Sequence, residues 1–171
     1  MIRRLAALLV LPVALAACNR GVDPTTVMEA QDIVTGWYDA GVVDGHMNKL
    51  VPSISLKLRN KSDASLRSVQ INAIFKRQGE KEMWGEHYGW AVQREPLAAG
   101  ATTRELVLRS ELGYTGEQPR LQMLQNREFV DAKVEIYLKQ GSKVLAKLAE
   151  YPIQRQLITR SSQQSAAPKA P

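Results

Sequence analysis

The chain has a single cysteine among its 171 residues, so it can form no internal disulfide and no cysteine-based zinc site. Aromatic residues make up only 6% of the sequence, which argues against a surface that stacks nucleic-acid bases. The net charge of +6 comes from scattered residues, without the basic block that nucleic-acid binding needs. The hydrophobic fraction of 44% and the charged fraction of 23% are typical of a globular domain, and the length suits one domain.

The N-terminal segment has the three parts of a secretion signal. Met1-Ile2-Arg3-Arg4 is basic, residues 5–17 carry no charge, and small residues precede Cys18. The uncharged stretch is shorter than the roughly 20 apolar residues that a transmembrane helix needs. The pattern therefore predicts a targeting segment that is removed, which also lowers the net charge of the mature protein.

The end of this segment, Leu15-Ala16-Ala17-Cys18, resembles the lipobox of bacterial lipoproteins. The resemblance implies that a dedicated signal peptidase cuts before Cys18 and that the Cys18 thiol carries a diacylglycerol. Two or more acyl chains would anchor the protein stably in a membrane. Asn19, in the place where aspartate retains lipoproteins in the inner membrane, favours the periplasmic face of the outer membrane. The alternative is an ordinary secretory signal that leaves Cys18 as a free thiol.

Composition divides the chain into four expected segments. These are a signal peptide (1–17), a lipidated N-terminus with its tether (18–30), a β-sandwich domain (31–160) and a disordered tail (161–171). The tail contains only Ser, Gln, Ala, Pro and Lys after residue 160, and such a composition cannot bury a core. Residues 27–30 are compatible with a short helical turn.

Alternation of apolar and polar residues dominates the domain. Leu50, Ile54, Leu56 and Leu58 share one parity and polar residues occupy the other, a pattern typical of a half-buried antiparallel strand. Seven such strands are predicted, at 33–38, 50–59, 69–76, 84–92, 102–109, 130–139 and 143–156. Their spacing predicts an all-β fold, an Ig-like antiparallel β-sandwich with one short helix within 118–126.

The hairpin segment from Ser53 to Phe75 gives a second resemblance. It reads as an alternating strand, Asn60 at the turn, a short polar gap and a second alternating strand. This arrangement resembles bacterial Ig-like domains of the FxLYD type and the related sandwiches of the late-embryogenesis-abundant type. The resemblance implies a sandwich fold and no general enzymatic activity.

Two clusters of aromatic and glycine residues are candidates for binding. Gly113-Tyr114-Thr115-Gly116 is predicted to be an interaction loop, with turn geometry at the two glycines as the alternative. In the other cluster, Trp84, Tyr88 and Trp90 share one parity, and a place in the core is favoured over a sugar- or protein-binding role. The aromatic residues of Trp37-Tyr38 are expected to end a strand and cover the sandwich edge.

The remaining polar residues give no catalytic or metal-binding pattern. His46 and His87 lack any spacing that would bring two ligands together, and no nucleophile motif or carboxylate pair stands out. We therefore predict no catalytic residue, no metal and no cofactor. The leading hypothesis is a lipid-anchored periplasmic module that binds an envelope protein or glycan and does not bind nucleic acid. A small-ligand or metal carrier is the alternative, and an envelope hydrolase is a third.

Overall fold

Two β-sheets stack to form an all-β sandwich in the computed structural model, which describes residues 22–158. The predictions for the signal peptide, Cys18 and the polar tail lie outside these residues. In chain order the elements are α1 (Pro24–Val27), β1 (Met28–Val43), β2 (Met47–Asn60), β3 (Val69–Arg77), β4 (Gly85–Val92), β5 (Leu106–Arg109), β6 (Tyr114–Gly116), α2 (Arg120–Gln125), β7 (Ala132–Gln140), β8 (Ala146–Pro152) and β9 (Leu157–Ile158). The predicted all-β sandwich and the short helix within 118–126 are confirmed.

The first sheet has the strand order β5-β2-β1-β9, and β6 also pairs with β2. Its strand pairs are antiparallel except for β1 with β9, which run parallel. The second sheet has the order β4-β3-β7-β8 and is antiparallel throughout. Within the described residues there are nine strands, two more than predicted, because β6 and β9 are too short to show an alternating pattern.

The core lies between the two sheets. Strand β2 contributes Leu50, Ile54, Leu56 and Leu58, all fully buried as their shared parity predicts. Strands β3 and β7 face them with Ile71, Ala73, Phe75, Val134, Ile136 and Leu138. The polar residues of β2 were expected to face solvent, but Ser53 and Ser55 on that other face of the strand are also buried. Ser53 pairs with Arg109, whose guanidinium carbon lies 3.6 Å from the ring centroid of Tyr38.

Strand β1 is much longer than the predicted strand at 33–38. It begins at Met28, which is buried, so part of the segment assigned to the tether belongs to the sheet. The helical turn expected at residues 27–30 lies three residues earlier, at Pro24–Val27. Two register shifts, between Gln31 and Val34 and between Asp39 and Val42, break the two-residue period of the sequence. This irregularity explains why the alternation reveals only the middle of the strand.

The interpretation of Trp37 as an edge residue is wrong. Trp37 lies in the middle of β1, pairs with Pro52 and is completely buried. Its ring packs against Phe129, Tyr114 and Trp84 at centroid distances of 4.6, 5.6 and 6.1 Å. Trp37 is therefore the centre of an aromatic cluster that fills one end of the sandwich.

The C-terminal chain changes sheets where one continuous strand was predicted at 143–156. Strand β8 ends at Pro152, and the backbone N–H of Ile153 makes one last bond to Ala132. The carbonyl of Gln156 then accepts a 2.8 Å hydrogen bond from the N–H of Trp37, which begins the pairing of β9 with β1. The predicted strand at 102–109 is likewise shorter, since β5 begins at Leu106.

Asn60 fixes the corner between the two sheets. Its buried side-chain amide donates to the carbonyls of Ala64, Leu97 and Ala98 at 2.8, 3.2 and 3.0 Å. Its side-chain oxygen accepts hydrogen bonds from the backbone N–H and the hydroxyl of Ser62. The asparagine noticed at the turn in the sequence thus ties the β2–β3 connection to the loop that follows β4.

Candidate binding surface on the second sheet

The outer face of the second sheet carries two exposed aromatic side chains. Tyr88 and Trp90 lie two residues apart on β4, so both point to the same side of the sheet. Their exposed fractions are 52% and 42%. Large aromatic side chains are usually buried for the most part, so an exposed pair on one face is a candidate contact surface.

The interpretation of Tyr88 and Trp90 as core residues is wrong, and the register shows why. A shift between Val69 and Gln70 places Val92 on the inner face but Trp90 on the outer face, although the two share a parity in the sequence. Trp84 precedes the strand and belongs to the aromatic cluster around Trp37.

Small residues fill part of the inner side of β4. Gly85 is buried so closely against Ser110 that a Cβ atom would overlap the serine hydroxyl. Gly89 pairs with Ile71, a core residue of β3, and so also lies on the inner side. The larger side chains of Tyr88 and Trp90 therefore lie on the opposite, outer side.

Polar amides lie beside the two aromatic rings in the neighbouring strand. Gln70 pairs with Trp90, and Asn72 pairs with Tyr88 on one side and with Tyr137 of β7 on the other. We call these five residues (Gln70, Asn72, Tyr88, Trp90 and Tyr137) the aromatic face.

Asn72 has an unusual position on this face. It is only 7% exposed, although it lies on the outer side of the sheet. Its Nδ2 donates to Oε2 of Glu86 at 3.3 Å, while its Oδ1 has no hydrogen-bond partner among the described residues. The Oε1 atom of Gln70 is also buried without a partner there. Buried polar atoms are normally satisfied, so these two acceptors call for an explanation.

A network of charges borders the aromatic face. Glu135 of β7 accepts from Lys76 at 2.9 Å, from Lys147 at 3.0 Å and from the hydroxyl of Tyr137 at 3.0 Å. Its side chain is only 8% exposed. Glu150 extends the network, with Lys147 at 2.7 Å and Lys133 at 3.1 Å. The network holds Tyr137 in place at one side of the face.

The ionisation of these groups follows from their contacts. Burial alone raises the pKa of Glu135, but hydrogen bonds from Lys76, Lys147 and Tyr137 outweigh it and lower the pKa to about 2. Burial, followed by the bond to the Glu135 carboxylate, raises the pKa of Tyr137. Bonds to Glu150 and then Glu135 raise the pKa of Lys147. The carboxylates of Glu135 and Glu150 and the ammonium group of Lys147 are therefore charged at neutral pH, and the network serves to hold the structure together.

An open cleft of about 540 Å³ continues the surface beyond Trp90. It lies between the end of β4 and the following connection, and Arg94, Glu95, Thr102 and Arg104 are among the residues that line it. Within residues 22–158 no ion pair involves either arginine. The cleft therefore offers guanidinium donors directly next to an exposed tryptophan.

The predicted interaction loop at Gly113, Tyr114, Thr115 and Gly116 is a strand. Tyr114, Thr115 and Gly116 form β6, which pairs with Leu50, Lys49 and Asn48 of β2. Residue 113 must be a glycine because the backbone of β2 lies so close that a Cβ atom would overlap the carbonyl of Leu50. The segment is therefore not a loop, because the glycine next to an aromatic residue reflects backbone packing against β2, and its role in an interaction stays a prediction.

The side chain of Tyr114 turns inward and joins the aromatic cluster. Its ring lies 4.9 Å from Trp84 and 4.7 Å from Phe129, and its hydroxyl donates to the carbonyl of Val130 at 3.2 Å. Burial is the main reason why its pKa is raised. A shallow pocket of about 110 Å³ is lined by Tyr114, Thr115 and Gly116 together with Met123 of α2. Tyr114 itself is mainly a packing residue.

The two histidines lie in different parts of the sandwich. His46 is in the turn between β1 and β2 and lies 3.5 Å from the exposed Glu117, whereas His87 is on β4 of the other sheet. In the part of the chain that the structure describes, no group of three metal-ligating side chains comes together. Across residues 22–158, no helix has the length and apolar character needed to cross a membrane.

Comparison with known proteins places few constraints on this chain. No protein-family model and no curated protein matches it. Among solved structures, it is similar to the Northeast Structural Genomics Consortium target SoR45, with 9% identity and a TM-score of 0.43 over 75% of this chain and 87% of that one. It is also similar to a protein from Archaeoglobus fulgidus, with 14% identity and a TM-score of 0.34 over 75% and 100%.

Proposed function

We propose that this protein is a lipid-anchored module of the bacterial cell envelope that binds an envelope protein or glycan through its aromatic face. The observation that carries the proposal is the exposure of Tyr88 and Trp90 together on one side of β4. Exposed aromatic side chains are the residues that most often anchor binding interfaces. In the segment at residues 113–116, the other candidate surface, the tyrosine is partly buried against Trp84 and Phe129.

The anchor belongs to the same proposal and is supported by the sequence. Leu15-Ala16-Ala17-Cys18 resembles a lipobox, and Cys18 is the chain's only cysteine. Between Cys18 and the first turn of α1 at Pro24 only a few residues intervene, so the sandwich would sit close to the membrane surface. Asn19 favours the periplasmic face of the outer membrane.

Two measurements test the two parts of the proposal, and the first concerns the anchor. Mass spectrometry of the protein purified from bacterial membranes should find an acylated N-terminal peptide in the wild type and none in Cys18→Ala. The anchor is ruled out when the wild type also lacks that peptide.

The second measurement concerns the binding surface. A photo-crosslinking phenylalanine derivative at position 88 should form a reproducible adduct in living cells. The same group at position 144, which is 87% exposed, serves as the matched control and should form none. Equal labelling from both positions, or none from position 88, would contradict the assigned surface.

A further inference from the structure

We propose that strand β4 is the contact between two copies of this chain, which join edge to edge in an antiparallel β4–β4 pair with a two-fold axis at Tyr88. Three observations carry this inference: the free edge of β4, the order of its residues, and the charges on both sides of the strand. Strand pairing uses the backbone edge of β4 and leaves the aromatic face open, so it is independent of the binding function proposed above.

The edge of β4 that faces away from β3 has no partner. Among the described residues β4 pairs with β3 alone, and no backbone hydrogen bond joins Gly85–Val92 to any other segment. Such an edge is a template for another strand, and proteins usually protect it with lysine or proline, or keep it very short.

The other sheet edges of this protein have that protection. Strand β8 contains Lys147 and Pro152, and the edge strands β5 and β9 of the first sheet have only four and two residues. Strand β4 has eight residues and contains neither lysine nor proline. It is therefore the edge at which a second copy is most easily added.

The two faces of β4 select the register of such a pair. Opposite residues of an antiparallel pair point to the same side of the sheet, so outer residues must meet outer residues. An axis at Tyr88 satisfies this condition from Gly85 to Ala91. An axis one residue further along would place Glu86, on the outer face, opposite Val92, which is buried on the inner face.

The side chains that meet in this register are compatible. On the inner side His87 lies opposite Gly89 of the second copy, and the glycine leaves room for the imidazole. On the outer side Tyr88 lies opposite its own equivalent, and Glu86 lies opposite Trp90. Aromatic cross-strand pairs stabilise sheets, whereas like charges directly opposite each other destabilise them, and no like charges meet here.

Charged residues on both sides of β4 are complementary in the same register. Lys81 and Glu82 precede Tyr88 by seven and six residues, and Arg94 and Glu95 follow it by six and seven. An axis at Tyr88 therefore brings Glu82 towards Arg94 of the second copy, and Lys81 towards Glu95. All four charged residues are exposed, and none forms an ion pair within residues 22–158. Complementary charges across an interface favour one partner and one register, and here the complementary partner is the chain itself.

Light scattering coupled to size-exclusion chromatography tests the association of the full-length protein in detergent micelles. We expect two chains per particle at high concentration and one after dilution, because a contact through one strand is small. Glu82→Arg places like charges at both ends of the contact and should weaken association about tenfold. The double variant Glu82→Arg with Arg94→Glu restores opposite charges and should associate as the wild type does. Glu128→Arg, exposed in the connection before β7, is the matched control and should change nothing.

Disulfide crosslinking in bacterial membranes tests the register. A residue at the axis faces its own equivalent at a Cβ–Cβ distance of roughly 4.5–5.5 Å, close to what a disulfide spans. Tyr88→Cys should therefore give a linked dimer on oxidation. Trp90→Cys lies four positions from its own equivalent and should give none alone, but it should link to Glu86→Cys when the two are mixed. The wild type controls for links through Cys18, its only cysteine.

Three results would overturn the inference: a wild type that stays a single chain at every concentration, a double charge variant that does not regain association, or a Trp90→Cys chain that links to itself as readily as Tyr88→Cys. Thermal melts check that each variant is folded. If Glu82→Arg melts below the wild type, Arg94→Glu replaces it, because it creates the same repulsion. An adduct with another envelope protein from position 88, together with single chains in solution, would reject the pairing and leave the binding function standing.

Discussion

The ring of Tyr114 lies 4.9 Å from the ring of Trp84, so a short strand of the first sheet contacts the residue that leads into β4 of the second sheet. This contact closes one end of the sandwich. Tyr114→Ala removes the ring from a cluster that also includes Trp37 and Phe129, and it should lower the free energy of unfolding by about 2–4 kcal/mol.

Tyr114→Phe is the control for this prediction. It keeps the ring and loses only the hydrogen bond to the carbonyl of Val130, so it should cost about 1 kcal/mol or less. Urea denaturation followed by tryptophan fluorescence measures both. Equal losses in the two variants would show that the hydroxyl, and not ring packing, dominates.

Gly113→Ala should destabilise the protein more than Gly116→Ala. The added Cβ at residue 113 would overlap the backbone carbonyl of Leu50, which cannot move without disturbing the pairing of β6 with β2. At residue 116 the nearest atom is the end of the Met123 side chain at 3.4 Å, an ordinary contact. We expect a loss of about 1–3 kcal/mol for the first variant, from overpacking, and little for the second. Thermal and urea melts of the two variants measure the difference, and equal losses would contradict the close approach at Gly113.

Stability should fall in acid through Glu135. Its pKa is about 2 in the folded protein and near 4.5 when unfolded, so the unfolded chain takes up a proton first as the pH drops. The stabilisation is fully present above about pH 5 and is lost as the pH falls toward 2. The difference in pKa corresponds to about 3 kcal/mol.

Glu135→Gln tests this pH dependence. The free energy of unfolding of the variant should be lowest relative to the wild type above about pH 5, and the two should converge toward pH 2. Tyr137→Phe removes one of the donors to the Glu135 carboxylate and should give an intermediate curve. If the free energies of unfolding of Glu135→Gln and the wild type differed by the same amount at every pH, the Glu135 carboxylate would not be the source of the pH dependence.

Asn60→Ala should be among the most damaging single substitutions. It removes three bonds to the carbonyls of Ala64, Leu97 and Ala98, in a residue that is fully buried. Unpaired buried groups make such losses large, and we expect about 2–4 kcal/mol by chemical denaturation. Ser62→Ala keeps the three bonds and should cost less. A similar cost for both would locate the effect in the turn itself.

The fold class could be predicted from the sequence because the core-facing positions of β2, β3 and β7 alternate regularly. Ile54, Ile71 and Ile136 all face the core, as their parity indicates. The same alternation reveals β1 only in part, since its two register shifts break the period. The exchange of the chain between sheets after Pro152 has no local signal, because the pairing of Leu157 with Trp37 depends on residues far away in the sequence.

The candidate site is harder to predict than the fold. Tyr88 and Trp90 stand out in the sequence as part of a cluster, but the parity that they share with Trp84 and Val92 assigns them to the core. Val92 is indeed buried and Trp84 packs against the core. The register shift between Val69 and Gln70 of the partner strand places Tyr88 and Trp90 on the outer face instead. No local sequence pattern predicts such a shift. The glycines at the alternate parity of β4 are the available signal that the large side chains lie outside.

The pairing of the first strand with the last has a consequence for the order of folding. The carbonyl of Thr35 in β1 accepts a hydrogen bond from the side chain of Gln156, 121 residues later, so the first sheet is completed only after almost the whole domain has been synthesised. Contacts between such distant residues slow folding, because a long loop must close before they form. The first strand of the sandwich must therefore wait for the C-terminal segment before its own pairing is complete.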